Sequence, residues 1–329
     1  MSKFRTIIMS AFLSGLLGRK SAITEDTAVV EKPAVVYDFI PRLEPSPNMP
    51  VEHTPEATPE EQQAIDLVNA QRAKLLTDLP AEPTDDGLLF DAPAWLTDTR
   101  ILIYLRACKG DPQQAIARLR GTLEWHSTYR PHAITPASMR AEGATGKMYI
   151  NGYDQGGRPL LYMFPHLENT SDATQHLRYI VFTMEQAIRS MPPGVTKLTI
   201  VIDASQFSPL ARSVPLSTAR EFLNVLEKHY PDRLGRALVL SPPAYFVVFY
   251  RIVAPFIDPV TKSKIAFVDV KGEKGKGRRD GDWVDVRELV DPGMLQLEAG
   301  GDWTYKYSQD QYWPVLERMY RAVTASAKV

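Results

Sequence analysis

The residues best placed to do chemistry stand just after the most apolar stretch of the chain. From Ala244 to Ile257 the only charge is Arg251, and Asp258, Thr261, Lys262 and Lys264 follow at once. A helix that apolar is either a deep core element or one that meets lipid. It is too short to span a membrane, which needs about 20 apolar residues. Cations and a hydroxyl at the edge of an apolar helix suit a ligand that is greasy at one end and anionic at the other. Covalent chemistry has no comparable signal. There is no Gly-x-Ser-x-Gly elbow and no His-Glu-x-x-His, and the six histidines are scattered. His126 and His132 have no third ligand nearby in sequence, and surface or capping roles are expected for them. Gly272 to Gly277 has the spacing of a phosphate loop, but Arg278 and Arg279 stand where Lys and Ser/Thr are required. The segment reads as a mobile loop, with contact of its five cations from Lys271 to Arg279 with anionic lipid as the alternative. Asp203 and Asp232 form no evident acid/base pair; Asp203 ends a buried strand, where a carboxylate caps the following turn. The pattern favours binding over catalysis, and no enzyme is expected.

The elements that must position these residues alternate in period. Glu60 to Leu76 carries Ile65, Val68 and Leu76 at helical spacing. Asp91 to Cys108 reads as a second helix, with Pro93 in its first turn. Asp111 caps a third, with Pro112 at its first position and Leu119, Leu123 and Trp125 among its packing residues. After Gly146 the rhythm changes. Lys147–Tyr153 and Leu160–Phe164 read as strands joined by the Asp-Gln-Gly-Gly turn at 154–157. A helix from Asp172 to Met191 and one from Ala219 to Tyr230 separate these from further strands at Lys197–Asp203, Ala237–Leu240 and Ile265–Val270. The β-branched run 197–203 reads as a strand buried on both faces. Strands alternating with helices predict a mainly parallel α/β sheet preceded by a small helical bundle.

The 329-residue chain is 44% hydrophobic with a net charge of −1, so a large core is available and no bulk field attracts nucleic acid. One cysteine, Cys108, excludes a disulfide framework within the chain and fits a reducing compartment. Residues 1–58 read as a disordered extension, with seven prolines from Pro33 to Pro59. Within it, Lys3 and Arg5 precede the apolar run Ile7–Leu17, and Arg19 and Lys20 follow. A frayed tail, a surface-lying membrane helix and a cleaved targeting segment are all compatible with that pattern.

Several ordered motifs then converge. Gly-Tyr-Asp-Gln-Gly-Gly-Arg-Pro-Leu-Leu-Tyr (152–162), Leu-Thr-Ile-Val-Ile-Asp (198–203), His-Tyr-Pro-Asp-Arg-Leu-Gly-Arg-Ala (229–237) and Pro-Phe-Ile-Asp-Pro-Val-Thr-Lys-Ser-Lys-Ile (255–265) fall in sequence. Ile101–Lys109 precedes them, and Gly300–Tyr305 with Tyr312 and Trp313 follows. Together they resemble the CRAL-TRIO lipid-binding proteins, in particular the yeast-type phosphatidylinositol transfer branch, over roughly residues 60–325. The resemblance implies a helical N-lobe over 59–145 and a CRAL-TRIO domain with a C-terminal helix over 146–329. In that fold the sheet floors a lipid pocket and the 244–257 helix is its gate, with Phe246, Phe249, Tyr250 and Phe256 as gate or pocket residues. It further implies Lys264, Thr261, Asp232, Arg233 and Lys109 as headgroup residues. The sequence departs from the family pattern at Cys108, where a cation is usual, and at Asp232, where Glu is common.

Leu198 and Ile200 stand where phosphatidylcholine-carrying members place hydroxyl residues. An apolar pair cannot replace the water stripped from a phosphocholine phosphate. The expected ligand is therefore phosphatidylinositol, held as cargo without any other cofactor or metal. Phosphatidylcholine is not expected as the second ligand, and a sterol or another neutral lipid remains a candidate. The expected setting is cytoplasmic with peripheral membrane association, at the endoplasmic reticulum, a lipid droplet or the cell periphery. Two rivals stay open: a carrier of sterol or haem, with Tyr162, Tyr179 or His176 as axial ligand, and a lipid-sensing regulator that presents lipid to a partner kinase.

Overall fold

A computed structural model describes residues 35–83, 87–206, 216–256, 259–270 and 282–326. The expectations for the amino-terminal apolar run and for the basic loop at 271–279 lie outside these residues. The first half of the described chain is helical: α1 (Pro59–Ala70), α2 (Arg72–Leu76), α3 (Ala92–Trp95), α4 (Asp98–Ala107), α5 (Pro112–Tyr129) and α6 (Pro136–Met139). Two expected helices are broken, each by backbone geometry. Gln71, at φ −97° and ψ 5°, separates α1 from α2. Thr97 leaves the helical region and its hydroxyl accepts the Arg100 amide, so the cap starts α4 afresh after α3. Asp111 caps α5 by accepting from Gln113 and Gln114. Ile65, Val68, Leu96, Ile101, Leu105, Leu119 and Leu123 close a separate core for this bundle.

His126 corrects the expectation of a surface or capping histidine. It is buried in the bundle, its ring stacked 4.2 Å from that of Phe90. A neutral imidazole among aromatic rings behaves as an apolar plate, and burial pushes its pKa well below the usual value.

The second half is α/β. Strands β1 (Met148–Tyr153), β2 (Pro159–Met163), β3 (Leu198–Asp203), β4 (Leu234–Leu240) and β5 (Ile265–Val268) form one five-stranded sheet in sequence order. β1 and β2 are an antiparallel hairpin, and the remaining pairs are parallel. The hairpin turn is fixed by Asp154, whose carboxylate accepts from the amides of Gly156 (2.9 Å) and Arg158 (3.0 Å). Helices α7 (Ala173–Arg189) and α8 (Leu216–His229) connect successive parallel strands, and α9 (Ala244–Val253) with α10 (Pro259–Ser263) connects β4 to β5. The expected 244–257 helix is thus shorter: Pro255 lies in a 3-10 turn over Ala254–Phe256, after the α-helical bonds end. The terminal helix α11 (Gln309–Ser326) sets the fully buried Trp313 into the main core, with its indole donating to the Pro136 carbonyl at 3.2 Å.

Residues 35–58 correct the expectation of disorder. Their backbone and side chains are tied to the α/β lobe along its length. The Trp303 indole donates to Asp38 (2.9 Å), the Arg42 amide donates to Asn151 (2.8 Å), and Leu43 is buried in the main core. Further on, the amides of Glu52 and Thr54 donate to the carbonyls of Gly156 and Gly194, each at 2.8 Å. Proline removes helix and strand periodicity from this strap, but an extended strand of chain can still satisfy its polar groups on a surface already folded.

Candidate functional site

Parallel strands that lie side by side bring their starting residues side by side. Lys197 directly precedes β3, Asp232 and Arg233 precede β4, and Lys264 precedes β5. The Lys264 ammonium lies 3.1 Å from Asp232 Oδ1, and the Lys197 ammonium lies 3.3 Å from Asp232 Oδ2. The Ala237 amide donates to the Lys264 carbonyl at 2.7 Å, so Lys264 is held at the sheet edge. Asp232 sits at φ 50°, a left-handed conformation that Asp tolerates better than most residues. Thr261 is half-buried in α10, and its carbonyl accepts the Lys264 amide at 3.1 Å.

The bundle adds a second charged layer. Arg106 of α4 donates from both Nε and Nη2 to Glu61, each at 2.8 Å, and lies close enough to Asp232 to interact electrostatically. The hydrogen bond from Arg106 is the leading cause that holds the Glu61 carboxyl down to about 2. Lys109 is exposed in the turn between α4 and α5 at φ 56°, and its ammonium joins no ion pair among the described residues. Arg233 turns toward the seam between the lobes, where it donates to the Thr196 carbonyl at 2.8 Å and feels Glu185, Tyr104 and Tyr230. Burial lowers its pKa from the usual guanidinium value. The structure therefore joins Lys264 and Asp232, sets Thr261 beside them, and places Lys109 and Arg233 at separate positions. Sequence reading missed Lys197 and Arg106. A lysine before a β-branched run gives no hint of its partner until strand order is known.

Strand register assigns the apolar residues to faces. Leu198, Ile200 and Ile202 share the face that carries Ala237 and Val239 of β4 and Ile265 and Phe267 of β5. Over this face lies α9: Phe246 and Tyr250 are buried and meet Phe267 edge-on, with ring centroids 6.2 and 4.9 Å apart. Leu198 is buried, while Ile200, in the middle of the central strand, is only half-buried. Thr199, the one hydroxyl on this strand, is on the opposite face and donates to Asp154 at 2.7 Å. The outer side of α9 is largely apolar as well, with exposed Arg251 as its one charge. Tyr245, Val248 and Ile252 are 44, 57 and 65% exposed, one helical stripe with Val260 beyond it at 63%. Phe249 lies within α9 and Phe256 within the following 3-10 turn; their side chains lie outside the described residues. No helix among the described residues is long and apolar enough to cross a membrane.

Elsewhere, Asp203 caps its turn as expected by accepting the Ser205 amide at 2.9 Å. The three side chains considered for haem are otherwise engaged or enclosed. Tyr179 donates to the Met148 carbonyl, His176 Nδ1 lies 3.0 Å from Glu168, and Tyr162 is stacked in the core against Tyr149.

The pattern of the CRAL/TRIO domain matches residues 143–301. A CRAL-TRIO domain-containing protein of Schizosaccharomyces pombe is 35% identical over 229 residues, 69% of this chain and 21% of that protein. The phosphatidylinositol transfer protein PDR17 of Saccharomyces cerevisiae is 30% identical over 231 residues, 67% of this chain and 62% of that protein. The phosphatidylinositol transfer protein CSR1 of Eremothecium gossypii is 26% identical over 224 residues, 64% of this chain and 48% of that protein. The chain thus spans less than two thirds of the length of each of these relatives. The crystal structure of Sfh5 covers 65% of this chain and 82% of its own at 14% identity, with a TM-score of 0.49. A five-stranded, mostly parallel sheet behind a helical bundle, the domain pattern and these relatives together identify a CRAL-TRIO domain in this chain, with homologues among the yeast-type phosphatidylinositol transfer proteins.

Proposed function

We propose that the protein binds phosphatidylinositol between the sheet and α9 and transfers it between membranes, without covalent chemistry. The observation that carries this reading is the junction of two surfaces. The Asp232–Lys264 pair marks the edge of the sheet whose apolar face is covered by Phe246 and Tyr250 of α9. Phosphate would engage the cationic edge, inositol hydroxyls could donate to Asp232, and acyl chains would lie on the apolar face. The naming of PDR17 and CSR1 as phosphatidylinositol transfer proteins supports the same ligand.

Carrying a diacyl lipid through water costs about 0.8 kcal/mol per exposed methylene, so the chains must be enclosed in transit. The helix that encloses them must also open. Its exposed stripe of Tyr245, Val248 and Ile252 offers an apolar surface that a bilayer would cover. Peripheral, transient contact with membranes follows from this cycle, and the reading sets it on the cytoplasmic side. Phosphatidylcholine is not the second cargo in this reading, because Leu198 and Ile200 offer its phosphate no donor. A sterol or another neutral lipid asks for none.

Mass spectrometry of lipids that co-purify with the protein, with vesicle-to-vesicle transfer of labelled phosphatidylinositol, tests the proposal. Lys264→Ala should keep the fold and lower transfer about tenfold or more, the equivalent of a charge-assisted hydrogen bond of roughly 1.5–3 kcal/mol. A well-folded variant with unchanged transfer would overturn the headgroup assignment.

A further inference from the structure

We infer that Lys197 is a second phosphate-binding cation, acting on the ligand directly as well as holding Asp232. This rests on the phosphatidylinositol reading and extends it to a residue on the first edge of β3. Asp232 has an ammonium on each oxygen, Lys264 at 3.1 Å and Lys197 at 3.3 Å. Each ammonium has three donors, and the carboxylate occupies one of them. Two positive groups against one carboxylate leave one positive charge at the sheet edge. A single phosphodiester carries one negative charge and would balance it. A zwitterionic headgroup brings its own cation and would not.

The nearby bundle cation is already balanced, since Arg106 makes a two-point contact with Glu61. The excess charge therefore belongs to the lysine pair on the sheet. Lys197 is also the more open of the two, with its side chain 33% exposed against 18% for Lys264. A pair that open adds little to stability, so a purely structural role gives weak grounds for two lysines on one carboxylate. A phosphate seated between the two ammonium groups would accept from both, with Asp232 fixing their spacing and staying free to accept from the sugar ring.

A double-mutant cycle separates direct contact from an effect relayed through Asp232. The full chain is compared with Lys197→Ala, Asp232→Asn and the double variant, using donor vesicles that contain labelled phosphatidylinositol. Lys197→Ala should lower transfer about fivefold, less than Lys264→Ala because the side chain is more exposed. The loss should persist when Lys197→Ala is added to Asp232→Asn. Lys197→Gln keeps most of the stem without the charge and should behave like the alanine variant, with a melting temperature close to that of the wild type. A double variant no worse than Asp232→Asn alone would reduce Lys197 to a positioning residue and overturn the inference. So would unchanged transfer by Lys197→Ala or Lys197→Gln while Lys264→Ala loses activity, and in that case the phosphatidylinositol reading would stand. Absence of phosphatidylinositol transfer by the wild-type protein would instead remove both.

Discussion

At the scale of residues, ligand choice turns on which groups a strand presents to which face. β3 alternates Leu198, Ile200 and Ile202 with Thr199 and Val201, and register puts the first set on the face shared with Val239 and Phe267, the two residues that α9 covers. Its single hydroxyl is spent on Asp154 across the sheet. A phosphate forced against Leu198 and Ile200 would lose water without gaining a donor, at a cost of roughly 2–7 kcal/mol for an unpaired polar group. The wild-type protein should therefore exchange labelled phosphatidylcholine at no more than background while it moves phosphatidylinositol. Parallel exchange assays with the two lipids check this; comparable rates would show that the phosphate has another seat. Lys264 and Asp232 were legible in the sequence from their motifs. Lys197 and Arg106 were not, because each acts through a neighbour that strand order or lobe packing supplies.

At the scale of elements, α9 divides into a buried apolar side and an exposed side that is apolar except for Arg251. Phe246, Val247 and Tyr250, with Ala254 of the following turn, are buried against β4, β5 and Trp283, whereas Tyr245, Val248 and Ile252 face outward. Charging the outer stripe should leave the fold intact and weaken its affinity for lipid. We expect Val248→Glu and Ile252→Glu to reduce vesicle co-sedimentation and transfer, with stability changed by only about 0.5 kcal/mol, as for other surface substitutions. Truncating the inner side acts oppositely. Phe246→Ala should cost about 3–5 kcal/mol, the usual range for a buried phenylalanine, and lower the melting temperature sharply. A comparable melting loss in Val248→Glu would mean that the outer stripe is packed in solution. The apolar composition of this helix was plain in the sequence. Its division into a docked side and an open one depends on Phe267 and Val239 lying beneath it, and periodicity alone does not reveal which stripe they cover.

At the scale of the whole molecule, the bundle and the sheet lobe meet at the end of α8. The Tyr104 hydroxyl of α4 lies 3.0 Å from the Thr122 hydroxyl and 3.2 Å from the His229 carbonyl, to which it can donate, and the His229 ring stacks on Trp125 at 4.2 Å. Burial, with Lys228 and Arg118 nearby, pulls the His229 pKa down to about 4. An unfolded chain protonates histidine near 6.5. Between these values the unfolded chain holds a proton that the seam refuses, so the fold loses stability as pH falls from about 6.5 toward 4; above 6.5 this contribution is constant. His126, also displaced downward by burial, adds in the same direction. The melting temperature should thus be level from pH 8 to 7 and decline below about 6.5. His229→Asn should reduce the steepness of that decline, and an unaltered profile in this variant would locate the sensitivity elsewhere.

The sequence by itself determined the alternation of strands and helices, the apolar helix with its cationic edge, the absence of a catalytic motif and the family. These are properties of neighbouring residues, because periodicity, capping and turn chemistry act over a few positions. Tertiary structure decided what depends on distant parts of the chain. It placed three strand starts together so that Lys197, Asp232 and Lys264 share one site. It buried His126, which sequence reading had left near the surface, and turned Arg233 from the headgroup toward the seam between the lobes, where it donates to the Thr196 carbonyl. It also tied the proline-rich residues 35–58 to the sheet lobe, where Leu43 enters the core and Asp38 meets Trp303. Composition reports that such a segment makes no helix or strand of its own; whether it is held depends on donors and a cavity that exist only once the rest of the chain has folded.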